Sequence, residues 1–107
     1  HFMPWHMRQK VVGAGYISGA RVDKARRLGL RFRPPAKLKH TGIVEGAYSA
    51  FELVVVTELA DLSGDHALFV MEVVAAHGER RPDLGEPILF CGQDRYATLG
   101  ERWRFRR

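Results

Sequence analysis

The sequence predicts a mainly β domain, a small Greek-key-like barrel with one or two short helices. Three observations predict it. Ser49 to Leu59 alternates in polarity, with Phe51, Leu53, Val55, Thr57 and Leu59 on one side and Glu52 and Glu58 on the other, which is the period of a strand. A second run rich in Val, Leu, Phe and Met, Ala67 to Ala76, follows the turn signal Ser63-Gly64-Asp65, so the two make a β-hairpin. Helical spacing, by contrast, is confined to short stretches before residue 30.

The elements follow in order. From Trp5 to Gly15 the residues Met7, Val11 and Val12 form a short apolar stripe near helical spacing. Ser18 offers an N-cap for a helix whose stripe is Val22, Ala25 and Leu28 and whose stop is Gly29. Asp23 near its start and Arg26 and Arg27 near its end complement the helix dipole. Leu30 to His40 is expected to be irregular, because Pro34-Pro35 blocks a helix. After the hairpin, Gly78 to Glu86 is a polar loop with Pro82 and Gly85, and Pro87 to Cys91 a short apolar strand followed by Tyr96 and Leu99. The expected core draws on Phe51, Leu53, Val55, Leu68, Val70 and Val74. These strands are too few to close a barrel, which takes about five or more; a partner subunit or a preceding segment is expected to cover the open edge.

With 107 residues the chain is one domain, 1–107, and its 46% hydrophobic and 27% charged residues are those of a folded protein. No apolar run approaches the length of a membrane span. The lone Cys91 excludes an internal disulfide and a multi-cysteine zinc site; in its apolar strand it reads as a small buried hydrophobe. The net charge is +5, and Arg102, Arg104, Arg106 and Arg107 stand among the last six residues. That tail alternates base with Trp103 and Phe105. The composition suits single-stranded nucleic acid, but the period of two also suits packing on a partner subunit, which is the reading preferred here; nucleic acid is not expected as a partner. The chain opens His1-Phe2-Met3-Pro4 without an initiator methionine or a signal-peptide pattern, so it is expected to begin inside a longer gene product. Met3, His6 and Met7 are soft-ligand types, but on a terminus they read as packing or solvated residues, and no metal is expected.

Four segments in order carry a resemblance. Ser18-Gly19-Ala20-Arg21-Val22-Asp23-Lys24 looks like S-G-R-[DE]-V-D-K, and Ile43-Val44-Glu45-Gly46-Ala47 into Phe51-Glu52-Leu53 looks like a strand beginning I-x-E-x. Gly64-Asp65-His66-Ala67-Leu68-Phe69-Val70 with Glu72-Val73-Val74-Ala75 is close to G-D-H-x-L-F-x-G-x-V-V-A, with Met71 at the last glycine. Leu89-Phe90-Cys91-Gly92 and Tyr96-Ala97-Thr98-Leu99-Gly100 look like a closing L-x-Y-x-G-x-x-Y-x-x-L-G. Together they resemble the C-terminal part of the flavin reductase-like family of FMN-binding split barrels.

The resemblance implies a split barrel incomplete at its N-terminus, working in the cytoplasm as a homodimer with FMN at the subunit interface. It implies hydride transfer from NADH or NADPH to flavin, with a monooxygenase as a possible recipient of the product; the chemistry would be the flavin's own. Ser18, Gly19, Asp23 and Lys24 are the implied cofactor-binding residues, a serine and a lysine supplying donors to phosphate. His66 is the implied catalytic residue, beside the flavin and the entering nicotinamide. The plainer readings stand beside these: Ser18 caps a helix while Asp23 and Lys24 are solvated, and His66 is a turn residue bonded to Asp65. Two rival functions follow, a truncated dimerisation or binding module that has lost flavin and, further back, a small RNA-binding protein built on the basic tail.

Overall fold

The computed structural model describes residues 1–59, 64–78, 86–101, 103 and 105. Ser63 of the expected turn, Pro82 and Gly85 of the expected loop, and the four tail arginines lie outside the described residues.

A 3-10 turn, Trp5–Met7, leads into α1 (Arg8–Tyr16), where Arg8, Gln9 and Lys10 are good helix formers and Gly13 and Gly15 poor ones. Gly13 is where the next helix comes close: a Cβ there would stand 3.1 Å from Leu28 Cδ2. That helix, α2 (Lys24–Leu28), begins later than the sequence suggests, because its N-cap is Asp23, whose carboxylate accepts from Arg26 N–H at 3.2 Å. Ser18 instead opens a separate turn, its carbonyl accepting from Arg21 and Val22 at 3.1 Å each. The expected stop holds: Gly29 adopts φ 65°, and Leu30 N–H reaches Ala25 O at 2.8 Å in a Schellman closure.

The strands are β1 (Phe32–Arg33), β2 (Ile43–Val44), β3 (Ser49–Glu58), β4 (Phe69–Gly78), β5 (Leu89–Phe90) and β6 (Tyr96–Ala97). They pair antiparallel as β1–β2, β3–β4 and β5–β6. The Leu30 to His40 stretch is thus not wholly irregular, and the strand expected over Pro87 to Cys91 shortens to Leu89–Phe90. The hairpin runs from Ser49 opposite Gly78 to Glu58 opposite Phe69, with register shifts at two places that leave Val74 and Val56 as extra residues. The N-terminal segment ties the pieces together: Phe2 bridges Ser49 and Pro4 bridges Pro87. The mainly β expectation holds, but the described strands form three two-stranded ribbons and no closed barrel.

The core sits where β2, the turn after it and the first residues of β3 meet. Ile43, Ala47 and Ala50 are buried there, with Pro4. Gly46 makes this possible: its φ is 95°, and a Cβ would come within 2.7 Å of Met7 Sδ. The core expected from the hairpin is not there. Phe51, Leu53, Val55, Leu68 and Val70 are all exposed, Val55 by 53%, and Val74 is only half-buried. Among the described residues no second layer covers that face. The total accessible surface is 9101 Å², against about 6,000 Å² for a compact monomer of this mass. The radius of gyration is 16.2 Å, against about 13 Å for a compact chain of this length. Among the described residues no helix is long and apolar enough to cross a membrane.

Candidate functional site

The Ser18–Lys24 segment links α1 to α2. Ser18 Oγ accepts from Ala20 N–H at 3.3 Å, which rounds the turn and brings Gly19 under the folded-back Lys24 stem; a Cβ at Gly19 would lie 3.7 Å from Lys24 Cε. The Lys24 ammonium donates to Ala14 O at 2.8 Å, fastening α2 to the end of α1. Ser18, Gly19 and Lys24 are therefore brought together. Asp23 caps α2. An ammonium has three N–H donors and a serine hydroxyl keeps its proton while accepting. After the contacts above, this cluster retains two Lys24 donors and the Ser18 O–H. These are donors of the kind that phosphate oxygens accept from.

His66 lies in the turn before β4 and not at the start of the strand; its Nδ1 is 2.8 Å from Asp65 Oδ1 and both side chains are exposed. β3 and β4 pack on one another, and α2 packs on α1. The two parts of the expected site thus belong to different units of packing within the protomer. Cys91 is exposed, not buried, because it falls just past β5 at the Gly92 turn. Trp103 and Phe105 are exposed, with their rings 5.9 Å apart.

The most constrained polar group is one that sequence patterning assigned to the outer face. Glu52 is 2% exposed. Its Oε1 accepts from Lys37 and Leu38 N–H and its Oε2 from Ala36 N–H, each at 2.8 Å, and His77 Nε2 lies 2.6 Å from Oε2. Burial alone would push this carboxyl up. The N–H of Leu38, the His77 ring and the N–H groups of Lys37 and Ala36 outweigh it and hold the group at about 2. Glu52 is a clamp that pins the segment after Pro34-Pro35 to the base of the hairpin. The available signal was weak: one acid in an apolar run, with a histidine near it on the paired strand.

Two cavities lie between the N-terminal helix and β5–β6. One, of about 440 Å³, is lined by Phe2, Met3, Tyr48, Ile88, Phe90 and Tyr96, with the Phe90 and Tyr96 rings 5.4 Å apart. The other, of about 400 Å³, is lined by Arg8, Val12, Tyr16, Asp94 and Tyr96. Tyr16 O–H donates to Asp94 Oδ1 at 2.7 Å, and that bond together with the aspartate charge pushes the phenol up. Ser18, Gly19, Asp23, Lys24 and His66 line neither cavity. Among the described residues no group of three or more His, Cys, Asp or Glu is placed to hold a metal ion.

Compared with family models, with curated proteins and with solved structures, the chain matches none.

Proposed function

We propose that this chain is an FMN-binding flavoprotein of the NAD(P)H-dependent flavin reductase type, built as a split barrel that is complete only in a homodimer. The observation that carries the reading is the phosphate-ready donor set of Ser18 and Lys24, formed in the segment that resembles the family's S-G-R-[DE]-V-D-K. The exposed hairpin supports the dimer, since a second subunit is what such a face lacks. Bound FMN would accept hydride from the nicotinamide and pass reducing equivalents on, with a cytoplasmic monooxygenase as a suitable recipient. The protein's part is to hold and orient. Lys24 and Ser18 meet the phosphate, Gly19 allows the lysine stem to fold back, and Asp23 keeps α2 in place behind them. His66, carried at the hairpin turn, reaches the flavin only across the subunit interface and there steers the hydride donor.

The test is spectroscopic. The purified protein should show flavin absorption, or acquire it on titration with FMN. Lys24→Met keeps the stem and removes the charge, so FMN affinity should fall about tenfold to a hundredfold while riboflavin affinity stays the same. A folded protein that takes up no FMN would overturn the reading. The alternative is then the dimerisation or binding module without flavin, favoured by the fact that Asp23 and Lys24 already have partners within the chain.

A further inference from the structure

Charge along this chain is sorted into two consecutive blocks. From residue 24 to 44 there are seven basic residues, Lys24, Arg26, Arg27, Arg31, Arg33, Lys37 and Lys39, and no acidic one. From residue 45 to 79 there are seven acidic residues, Glu45, Glu52, Glu58, Asp61, Asp65, Glu72 and Glu79, and no lysine or arginine. Blocks of opposite sign so near in sequence have every chance to neutralise each other in the fold. They do not: among the described residues the ion pairs are His66–Asp65 and His77–Glu52, and neither contains a lysine or arginine.

The reason is geometric. Of the acidic block, Glu52, Glu58 and Glu72 stand on the two hairpin strands, which pack on each other, while the basic block is α2, β1 and the segment beyond. Arg26, Arg27, Arg31, Arg33, Lys37 and Lys39 are all exposed, and so are Glu45, Glu58, Asp65 and Glu72. Glu45 comes near, its N–H on the Arg31 carbonyl at 2.8 Å, yet its carboxylate joins no ion pair among the described residues. The basic surface is also preformed: the Gly29 stop, the β1–β2 pairing and the Glu52 clamp on residues 36–38 fix its backbone. Such order lowers the entropy lost on binding.

We propose that the occupant of both surfaces is a second copy of this chain, the hairpin of each protomer lying across the basic segment of the other about a two-fold axis. The proposal rests on the homodimer of the preceding reading and adds which surface meets which. An isologous contact uses each patch twice, so one pairing of plus with minus is repeated by symmetry. Leu53, Val55, Met71 and Val73, all exposed and placed on one face by the pairing of Leu53 with Val73 and of Val55 with Met71, supply the apolar centre that stable interfaces have, and the charges form the rim. A nucleic acid would meet the basic block but leave the apolar hairpin uncovered; a second copy satisfies both.

The experiment is sedimentation equilibrium on the full chain at low and high salt, with circular dichroism to verify folding. Reversing the basic side (Arg31→Glu, Arg33→Glu, Lys37→Glu) or the acidic side (Glu58→Lys, Glu72→Lys) should each weaken the dimer about tenfold or more. Combining the two sets should restore it, and salt should weaken the parent more than the variant Arg31→Gln, Arg33→Gln. That neutral variant also serves if a reversed one does not fold. A parent dimer indifferent to both reversals, or a combination no better than either alone, overturns this arrangement and leaves the dimer standing. A parent that is monomeric at micromolar concentration overturns the arrangement and the dimer together.

Discussion

The two ends of one hairpin behave as if they belonged to different proteins. At its base, Ala50 is 1% exposed and Glu52 2%, with Glu52 held by the N–H groups of Ala36, Lys37 and Leu38. A few residues on, Val54, Val55 and Val56 are 44%, 53% and 64% exposed, and Phe69, Val70 and Met71 across from them are little better covered. The outer end is the more hydrophobic by composition, yet the base is the buried part. Burial is decided by what packs on a strand, not by the strand's own residues. In this chain the packing material is spent on the base.

The comparison predicts a steep gradient of mutational effect. Ile43→Ala, at the base, should destabilise the protein by about 2–5 kcal/mol through lost burial and a cavity, measured by urea unfolding. Glu52→Ala should come next, since it strands three N–H donors and His77; a fall in Tm of roughly 5–10 °C is expected. The same clamp gives a pH signature. The carboxyl sits at about 2 in the fold against 4.5 ordinarily, so between those values the unfolded chain binds the proton first. Its stabilising effect is therefore full above about pH 5 and lost as pH falls from 4.5 towards 2. Glu52→Gln should flatten that part of the stability curve, and an unchanged curve would mean the clamp is not what responds. Val55→Ala, at the outer end, should alter the stability of the monomer by no more than about 0.5 kcal/mol while weakening self-association. A loss of 1 kcal/mol or more in a monomeric sample would erase the distinction between the two ends.

What could be read beforehand follows the same division. The hairpin was legible because alternation and turn chemistry are local, and Gly29 as a stop was legible because a left-handed closure needs glycine. The start of α2 was misread by several residues, since Ser18 and Asp23 are both good caps and only the Ser18 turn itself decides between them. Glu52 was placed on the outer face because its partners, the N–H groups of residues 36–38, are fourteen and more residues earlier, and nothing local announces them. The core was misassigned because large side chains mark what should be buried, whereas Ala47 and Ala50 are buried here for being small. Of the candidate site, the cluster of Ser18, Gly19 and Lys24 was foreseen as a unit, but the use of Asp23 and Lys24 to fasten α2 was visible only in three dimensions.

The two bulges at Val56 and Val74 also bear on how this protein survives at high concentration. Over its outer half the hairpin offers open edges and apolar faces, the combination from which strand-by-strand aggregation grows. A flat ribbon of this composition would accept further strands on either side without limit. An extra residue in each strand bends and twists the ribbon and interrupts the regular row of donors and acceptors. A newcomer then finds no long matching edge, and growth by edge addition is penalised at its first step. The irregularities thus act as kinetic protection for an exposed apolar surface.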